Sequence, residues 1–592
     1  MIIYYVISTV SFLIATIILG AVLIKILFMQ AKDKNNNDKK LSCNVSTNFM
    51  DDSIKWPKPS ASFLGKFKKA AVSSENGQCS EIARNILLAG GNAVDAAIGS
   101  MLCLGVVNPQ FSGLGGGFFM TIYNSTNQHC LSLNARGKAP DSLNISTFYD
   151  NDYSKHGYNA VAIPAEVHGF WTAYKKFGSG KIVWEELFQP SIDLAINGFP
   201  VSFSLAAILT EREDQIRLDS ALKKIFIDPI TERAYEEGDI IKREHLGFTL
   251  RLIANSSDPI ALFYQGGLAQ TIAAEIFENE SPVENREFLD EFVMCGPPPP
   301  SSAVVAQSIV AVVSEFFGRE KGYSLESPLF YHTFIEAGKY TYGDKFKLGD
   351  AYFNEALMKI ARNMTKKTYA RWIKTMIQKK IAPKEYYNLK TNQRDDHGTS
   401  SVVIIDQSNN AVSCSGSLNR MYRFGSMRAS PTLGIIWNDN MQDFSQPSKN
   451  GSNGNQHEAN SIAPGKRPMS SMSPLIIYSK KTGKTKLAIA ASGGSPLISA
   501  MAQVIIRIFL FNQTVKEAID APRIHQFGPS TTEYEKSFPQ KLISYLINDY
   551  AQIMVPSKQY LGSVQALEVK ENGFIYGSND FRKPVTTYAT GY

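Results

Sequence analysis

The stretch "DDHGTSSVVII" (395–405) constrains the fold of this 592-residue chain more than any other. Val402 to Ile405 is an unbroken β-branched run, the pattern of a strand covered on both faces, so the rest of the chain must supply a packing layer above and below it. Such strands usually begin at a plain turn. Here the turn ends in Gly398, which has no Cβ, and the first residue of the strand is the hydroxyl-bearing Thr399. A glycine turn feeding a β-branched residue is the ordinary explanation, and only the remainder of the sequence decides whether a second one is needed.

The material for those layers flanks the strand. "CSEIARNILLAGGNAVDAAIGSMLCLGVV" (79–107) carries apolar residues at helical spacing, broken at Gly90-Gly91 where a helix should end, with Asn92 as the cap of a second helix. Strands are expected at "GFFMTIYN" and "HCLSLNAR". A mostly helical middle from about Pro190 to Lys380 follows, interrupted by "CGPPPPSS" (295–302), because prolines break helices. From Thr399 onward "SVVIID", "AVSCSGS", "LGIIWN", "PLIIYS" and "KLAIAAS" read as strands, and "SKNGSNGNQHEANS" as a loop. Strands set between helical segments predict an α+β architecture with one central sheet sandwich.

Residues 2–24 carry no charge, enough to cross a bilayer, where about 20 apolar residues are required. The run continues past Lys25 into Ile26-Leu27-Phe28, longer than the apolar core of a cleaved signal peptide, so an uncleaved anchor is expected over 1–28, with a polar stem over 29–69. Lysines 32, 34, 39 and 40 would by themselves leave the body in the cytosol. Eight Asn-x-Ser/Thr sequons, at Asn44, Asn124, Asn144, Asn255, Asn279, Asn363, Asn450 and Asn512, argue for the opposite side. Together they place the chain as a single-pass type II protein of the plasma membrane with its body outside. The six cysteines are too widely spaced for a small stapled scaffold but permit disulfides.

Several chemistries fall away. The net charge of +7 is spread along the chain without a dense basic run, so no nucleic-acid partner is expected. No His-Glu-x-x-His or Cys-x-x-Cys pattern exists, which leaves no metal site, and nothing calls for a cofactor. "GLGGG" (113–117) lacks the Lys-Ser/Thr ending of a phosphate loop, and there is no Gly-x-Ser-x-Gly elbow.

"GGNAVDAAIGSMLCLGVVNPQFSGLGGGFFMTIYN", "NARGKAP", "FQPSIDLAINGFPV", "DHGTSS", "GIIWNDNMQDFS", "GKRPMSSMSP", "AASGGS" and "EAIDAPRIH", in this order, resemble the γ-glutamyltransferase (glutathione hydrolase) family from about Ala70 to the terminal Gly591-Tyr592. The resemblance implies an N-terminal-nucleophile hydrolase: a four-layer αββα sandwich made as one inactive chain that cuts itself between Gly398 and Thr399. The products would be a large subunit (70–398) and a small subunit (399–592) that together form one catalytic domain. Thr399 is then the nucleophile, and its freed α-amino group the base, with an ordinary pKa near about 8. His397 reads as a turn residue rather than a base.

The donor the resemblance implies is glutathione or another γ-glutamyl compound, and the acceptor is water, an amino acid or a dipeptide. Arg136 of "NARGKAP" is expected to clamp the donor α-carboxylate, helped by Ser470 and Ser471. Asp443, with Asn419 and Asn440, is expected to hold the α-ammonium. Gly493 and Gly494 supply oxyanion donors, and Ser417 a hydroxyl to Thr399. Cys79 and Cys103 are expected to form a disulfide, as in animal members. Taken singly, Arg136 could be a surface ion pair, Asp443 a turn residue and the serines a loop.

The chain departs from the family at several points. Ser401 stands where His is common, Ser415-Gly416-Ser417 replaces Thr-x-Thr, Arg420 to Arg423 contains two residues more than expected, Asn440 replaces a frequent Glu, and 278–295 is short. Two further readings stay open: a non-catalytic membrane-bound relative acting as an interaction protein, and an acylase of the same fold.

Overall fold

Alternation along the strand Gly398–Ile405 divides its side chains between two different cores. Val402 and Ile404 join an apolar cluster beneath helices, whereas Val403 and Ile405 join a cluster between two sheets, and all eight strand residues are buried. The computed structural model describes residues 54–592 apart from 142, 144, 146–156, 266–279, 282–283, 289–290, 319–321, 388–397, 421–423, 446–457, 529 and 584–586. The anchor, His397 and Cys43 lie outside the described residues. Among the described residues no helix is long and apolar enough to cross a membrane.

Two seven-stranded sheets face one another. The first runs Thr590–Gly591, Ala71–Ser74, Gly398–Ile405, Ala411–Asn419, Gly117–Asn124, His129–Ala135 and Glu280–Ser281. The second runs Leu64–Phe67, Ile575–Asn579, Ser563–Val569, Thr485–Ser492, Leu475–Ser479, Phe292–Gly296 and Glu284–Phe288. Helices Ala93–Val107 and Glu166–Phe177 pack on the outer face of the first, Ala303–Phe316 and Pro496–Phe511 on that of the second. The order is helix, sheet, sheet, helix, as expected. Both sheets take strands from either side of Gly398, so 70–398 and 399–592 share both sheets.

The helix pair forms as its sequence predicts. Gly90 adopts φ +100° past the first helix, and Asn92 caps the second in a reciprocal box with Asp95. Cys79 and Cys103 bridge the two helices with Cα atoms 5.4 Å apart. A second disulfide, Cys130–Cys295, ties His129–Ala135 in one sheet to Phe292–Gly296 in the other, a pairing the spacing did not suggest. Cys414 is free and buried.

Three expectations are corrected. The body begins near Trp56 rather than Ala70, because Trp56 packs on Tyr331 and Phe538 and Leu64–Phe67 adds an edge strand to the second sheet. The middle is less helical than its composition suggests, since Phe292–Gly296 is an interior strand immediately before the prolines. "LGIIWN" is no strand; it makes an isolated bridge at Ile436, with Trp437 held by backbone bonds to Arg428 and Ser426.

Candidate active site

Thr399 lies at the buried entry of its strand, where the ladder to Ala411–Asn419 slips: Gly398 pairs with Asn419, but Ser400 pairs with Gly416. The extra residue on the partner strand makes a bulge, a device that re-aims side chains. Its consequence is that the Ser417 hydroxyl donates to the carbonyl oxygen of Gly398, not to Thr399 as expected. The "GLGGG" run has a packing role here. A Cβ on Gly116 would sit 2.5 Å from the Ser417 carbonyl oxygen, so only glycine lets the chain pass behind that residue.

From Ser417 a continuous set of contacts leads outward. Its hydroxyl oxygen accepts from the Asn419 N–H at 2.8 Å, and the Asn419 amide donates to Asp443 Oδ1 at 3.0 Å. Asn419 holds a positive φ of +93°, a strained conformation that asparagine tolerates better than most residues. Asp443 is ion-paired with Arg136, whose other guanidinium nitrogens donate to Asn440 Oδ1 at 2.8 Å and to the Pro468 carbonyl at 3.5 Å. Arg136 is only 1% exposed, which excludes the surface ion-pair reading.

The turn Asn440–Asp443 is held by buried Asn438, which the sequence reading did not single out. Its amide donates to the carbonyls of Gly115 and Ala162 at 2.7 and 2.8 Å, and its oxygen accepts from the Asn440 N–H at 2.9 Å. Asn440 differs from expectation in polarity. Its oxygen is used by Arg136 and its Nδ2 is a buried donor without a partner among the described residues, an arrangement that suits a carboxylate better than an ammonium.

Ser470 and Ser471 are buried on the same side, reached through Pro468. The proline run places them: the Ser470 N–H donates to the Pro300 carbonyl at 2.8 Å, and Ser302 Oγ donates to the Ser470 carbonyl at 2.6 Å. Lys345, a further residue absent from the sequence reading, donates to Ser471 Oγ at 3.3 Å. Gly493 and Gly494 follow the strand Thr485–Ser492, which packs across from the Gly398 strand, and both have positive φ, +108° and +66°. A Cβ on Gly493 would meet Gly562 Cα at 2.8 Å. Gly562 is braced in turn by Arg523, which donates to its carbonyl at 2.7 Å and is paired with Asp580.

Cys414 is no rival nucleophile, because burial pushes its thiol well up from its ordinary value and the nearby Glu166 adds to that. Among the described residues no cluster of His, Cys, Asp and Glu could hold a metal. Met421 to Arg423 lie outside the described residues; the Arg420 N–H donates to Asp439 Oδ1 at 3.3 Å.

The chain is 35% identical to Scoloptoxin SSD14 of Scolopendra dehaani, over 90% of this chain and 94% of that protein. It is 35% identical to Glutathione hydrolase 2 of Arabidopsis thaliana, over 78% and 82%. Its fold is shared with the cephalosporin acylase of Bacillus halodurans at a TM-score of 0.77, covering 92% of this chain and 99% of that one, with 22% identity. The family model described as Gamma-glutamyltranspeptidase matches residues 79–590, and the chain belongs to that family.

Proposed function

We propose that this chain is a self-processing γ-glutamyltransferase and glutathione hydrolase. The observation that supports this best is the unbroken path from Arg136 through Asp443, Asn419 and Ser417 to the Gly398 carbonyl, which joins an amino-acid-reading end to a polarised peptide bond.

In processing, the Thr399 hydroxyl attacks the Gly398 carbonyl, whose oxygen the Ser417 hydroxyl polarises. The hydroxyl proton goes to the Thr399 nitrogen as the C–N bond breaks. Water then cleaves the resulting ester, leaving a carboxylate on Gly398 and a free α-amine on Thr399. In turnover that amine takes the proton of the Thr399 hydroxyl as its oxygen attacks the γ-carbonyl of the donor. The backbone N–H groups of Gly493 and Gly494 receive the developing oxyanion; losing one such donor costs about 3–4 kcal/mol in barrier. The proton passes to the departing amine, and the acyl-enzyme is released to water or to an amino acid or dipeptide.

Arg136, with the Asn440 amide and the hydroxyls of Ser470 and Ser471, takes the donor α-carboxylate, while Asp443 takes the α-ammonium. In the free protein Arg136 and Asp443 neutralise each other, which keeps the buried guanidinium paired with a partly exposed carboxylate until a zwitterion supplies both partners. The acylase reading gains nothing from the likeness of fold, and this charge pair suits an amino-acid end group.

The cut divides the chain into 70–398, extended at its start by the segment from Trp56, and 399–592, held together without a covalent link at Gly398. We place the body outside the cell behind an N-terminal anchor. The described sequons Asn124, Asn255, Asn363 and Asn512 are all exposed, which supports that side of the membrane. A denaturing gel of the purified ectodomain with N-terminal sequencing of the smaller band tests the reading. Two bands with the smaller starting at Thr399 are expected, and a Thr399→Ala chain should stay whole and inactive. A folded wild-type chain that remains uncut refutes it.

A further inference from the structure

We infer that Glu75, Lys583 and Ser401 form a positioning unit that holds Thr399 once cleavage has turned it into a chain terminus. The inference rests on the reading of Thr399 as a self-liberated nucleophile.

The starting observation is a gap in the ladder. On one edge the Gly398 strand pairs with Ala71–Ser74, but only over Val402 to Ile405, and Ser74 opposite Val402 is the last rung. Past Ser74 the chain turns into the helix Gly77–Leu88, so residues 399–401 have no strand on that side. Side chains replace it. Glu75 accepts from Ser401 Oγ at 3.1 Å and is ion-paired with Lys583, its own side chain being fully buried. Lys583 Nζ lies 3.5 Å from the Thr399 carbonyl oxygen and 4.2 Å from the centroid of the Phe111 ring. One ion pair therefore grips the strand at residues 399 and 401.

The grip matters at one stage only. Before cleavage Thr399 is fixed by peptide bonds on both sides and by the rung between Gly398 and Asn419. Breaking the Gly398–Thr399 bond frees one side and leaves that rung as a contact between the two subunits that no longer holds Thr399 through Gly398. A new chain terminus frays unless it is tied down. The Thr399 nitrogen and hydroxyl must then be held by the carbonyl end of the same residue, which is where Lys583 reaches. The departure at Ser401 fits this role, since a short hydroxyl donates to Glu75 while leaving room for the lysine stem.

The test compares Lys583→Met, Lys583→Arg and Ser401→Ala with wild type. Each is assayed for cleavage on gels, melting temperature, and kcat and KM on a γ-glutamyl anilide. Lys583→Met should be cut normally, keep its donor KM within about threefold and lose about 10- to 100-fold in kcat, the scale expected when a reacting group drifts by about 1 Å. Lys583→Arg should recover much of that loss. Ser401→Ala, which leaves the ion pair in place, should lose about two- to fivefold in kcat at an unchanged melting temperature, and it carries the test if Lys583→Met does not fold. Unchanged kcat in a folded Lys583→Met or Ser401→Ala chain overturns the inference, as does a loss in Lys583→Met and Lys583→Arg alike that tracks melting temperature. An uncut Lys583→Met beside a cut wild type also overturns it, because the unit would then serve processing. A wild-type chain that is uncut or inactive removes the reading of Thr399 itself.

Discussion

Arg136→Lys is the substitution that most directly tests how the pocket reads its donor. The guanidinium serves three acceptors at once: Asn440 Oδ1, Asp443 and the Pro468 carbonyl. A lysine ammonium keeps the charge but cannot present two parallel N–H groups to a carboxylate while remaining on those partners. With donor bound, one charge-assisted hydrogen bond is lost, worth about 1.5–3 kcal/mol. At about 1.36 kcal/mol per tenfold, the donor KM should rise by about 10- to 150-fold. The interaction is made equally in ground and transition states, so kcat should stay within about threefold. Self-cleavage should persist, because the Gly398 carbonyl is polarised by Ser417 and no donor takes part. Kinetics on a γ-glutamyl anilide, with gels of the same samples, gives both answers. A normally cut mutant with wild-type KM would refute the carboxylate clamp and with it the assignment of Asp443 to the ammonium.

Gly493→Ala should fold but lose at least about 10²-fold in kcat, since its φ of +108° and the approach to Gly562 force the oxyanion loop to shift; wild-type turnover would exclude this loop from the site. Replacing Cys130 and Cys295 together by serine should destabilise the protein by about 2–5 kcal/mol, measured as a lower denaturant midpoint, because the bridge joins the two sheets across 165 residues; an unchanged midpoint contradicts this. Glu166 gives a pH dependence. Burial pushes its carboxyl up to about 8, opposed in part by a backbone hydrogen bond at Gly113, with Tyr264, Cys414 and Arg243 around it. The folded state keeps a proton that the unfolded chain releases near its ordinary value of 4.5, so this contribution is whole below that pH and is lost as pH rises toward 8, by about 1.4 kcal/mol per unit. Glu166→Gln should flatten the slope in thermal melts between those limits, and an identical slope in mutant and wild type rules the group out.

The sequence alone carried the local decisions. The β-branched run after Thr399 read as a strand covered on both faces, and the structure covers it so, with Val402 and Ile404 in one core and Val403 and Ile405 in the other. Asn92 and Gly90 marked helix boundaries through capping and a positive φ, because those effects act within a few residues. Blocks of candidate site residues were legible as family motifs, with Arg136, Asp443, Ser470 and Ser471 among them. What no local pattern held was which distant groups meet. Arg136 and Asp443, assigned to opposite ends of a donor, pair with each other across 307 positions. The four prolines looked like a mere interruption, yet they place Ser470. Glu75 and Lys583, 508 positions apart, carry no motif and become neighbours of residues 399–401 only because one strand stops before reaching them and a loop of the other sheet fills the gap. Such contacts depend on strand register and on the packing of two sheets, which the chain as a whole settles when it closes its loops; neighbouring residues leave no periodic trace of them.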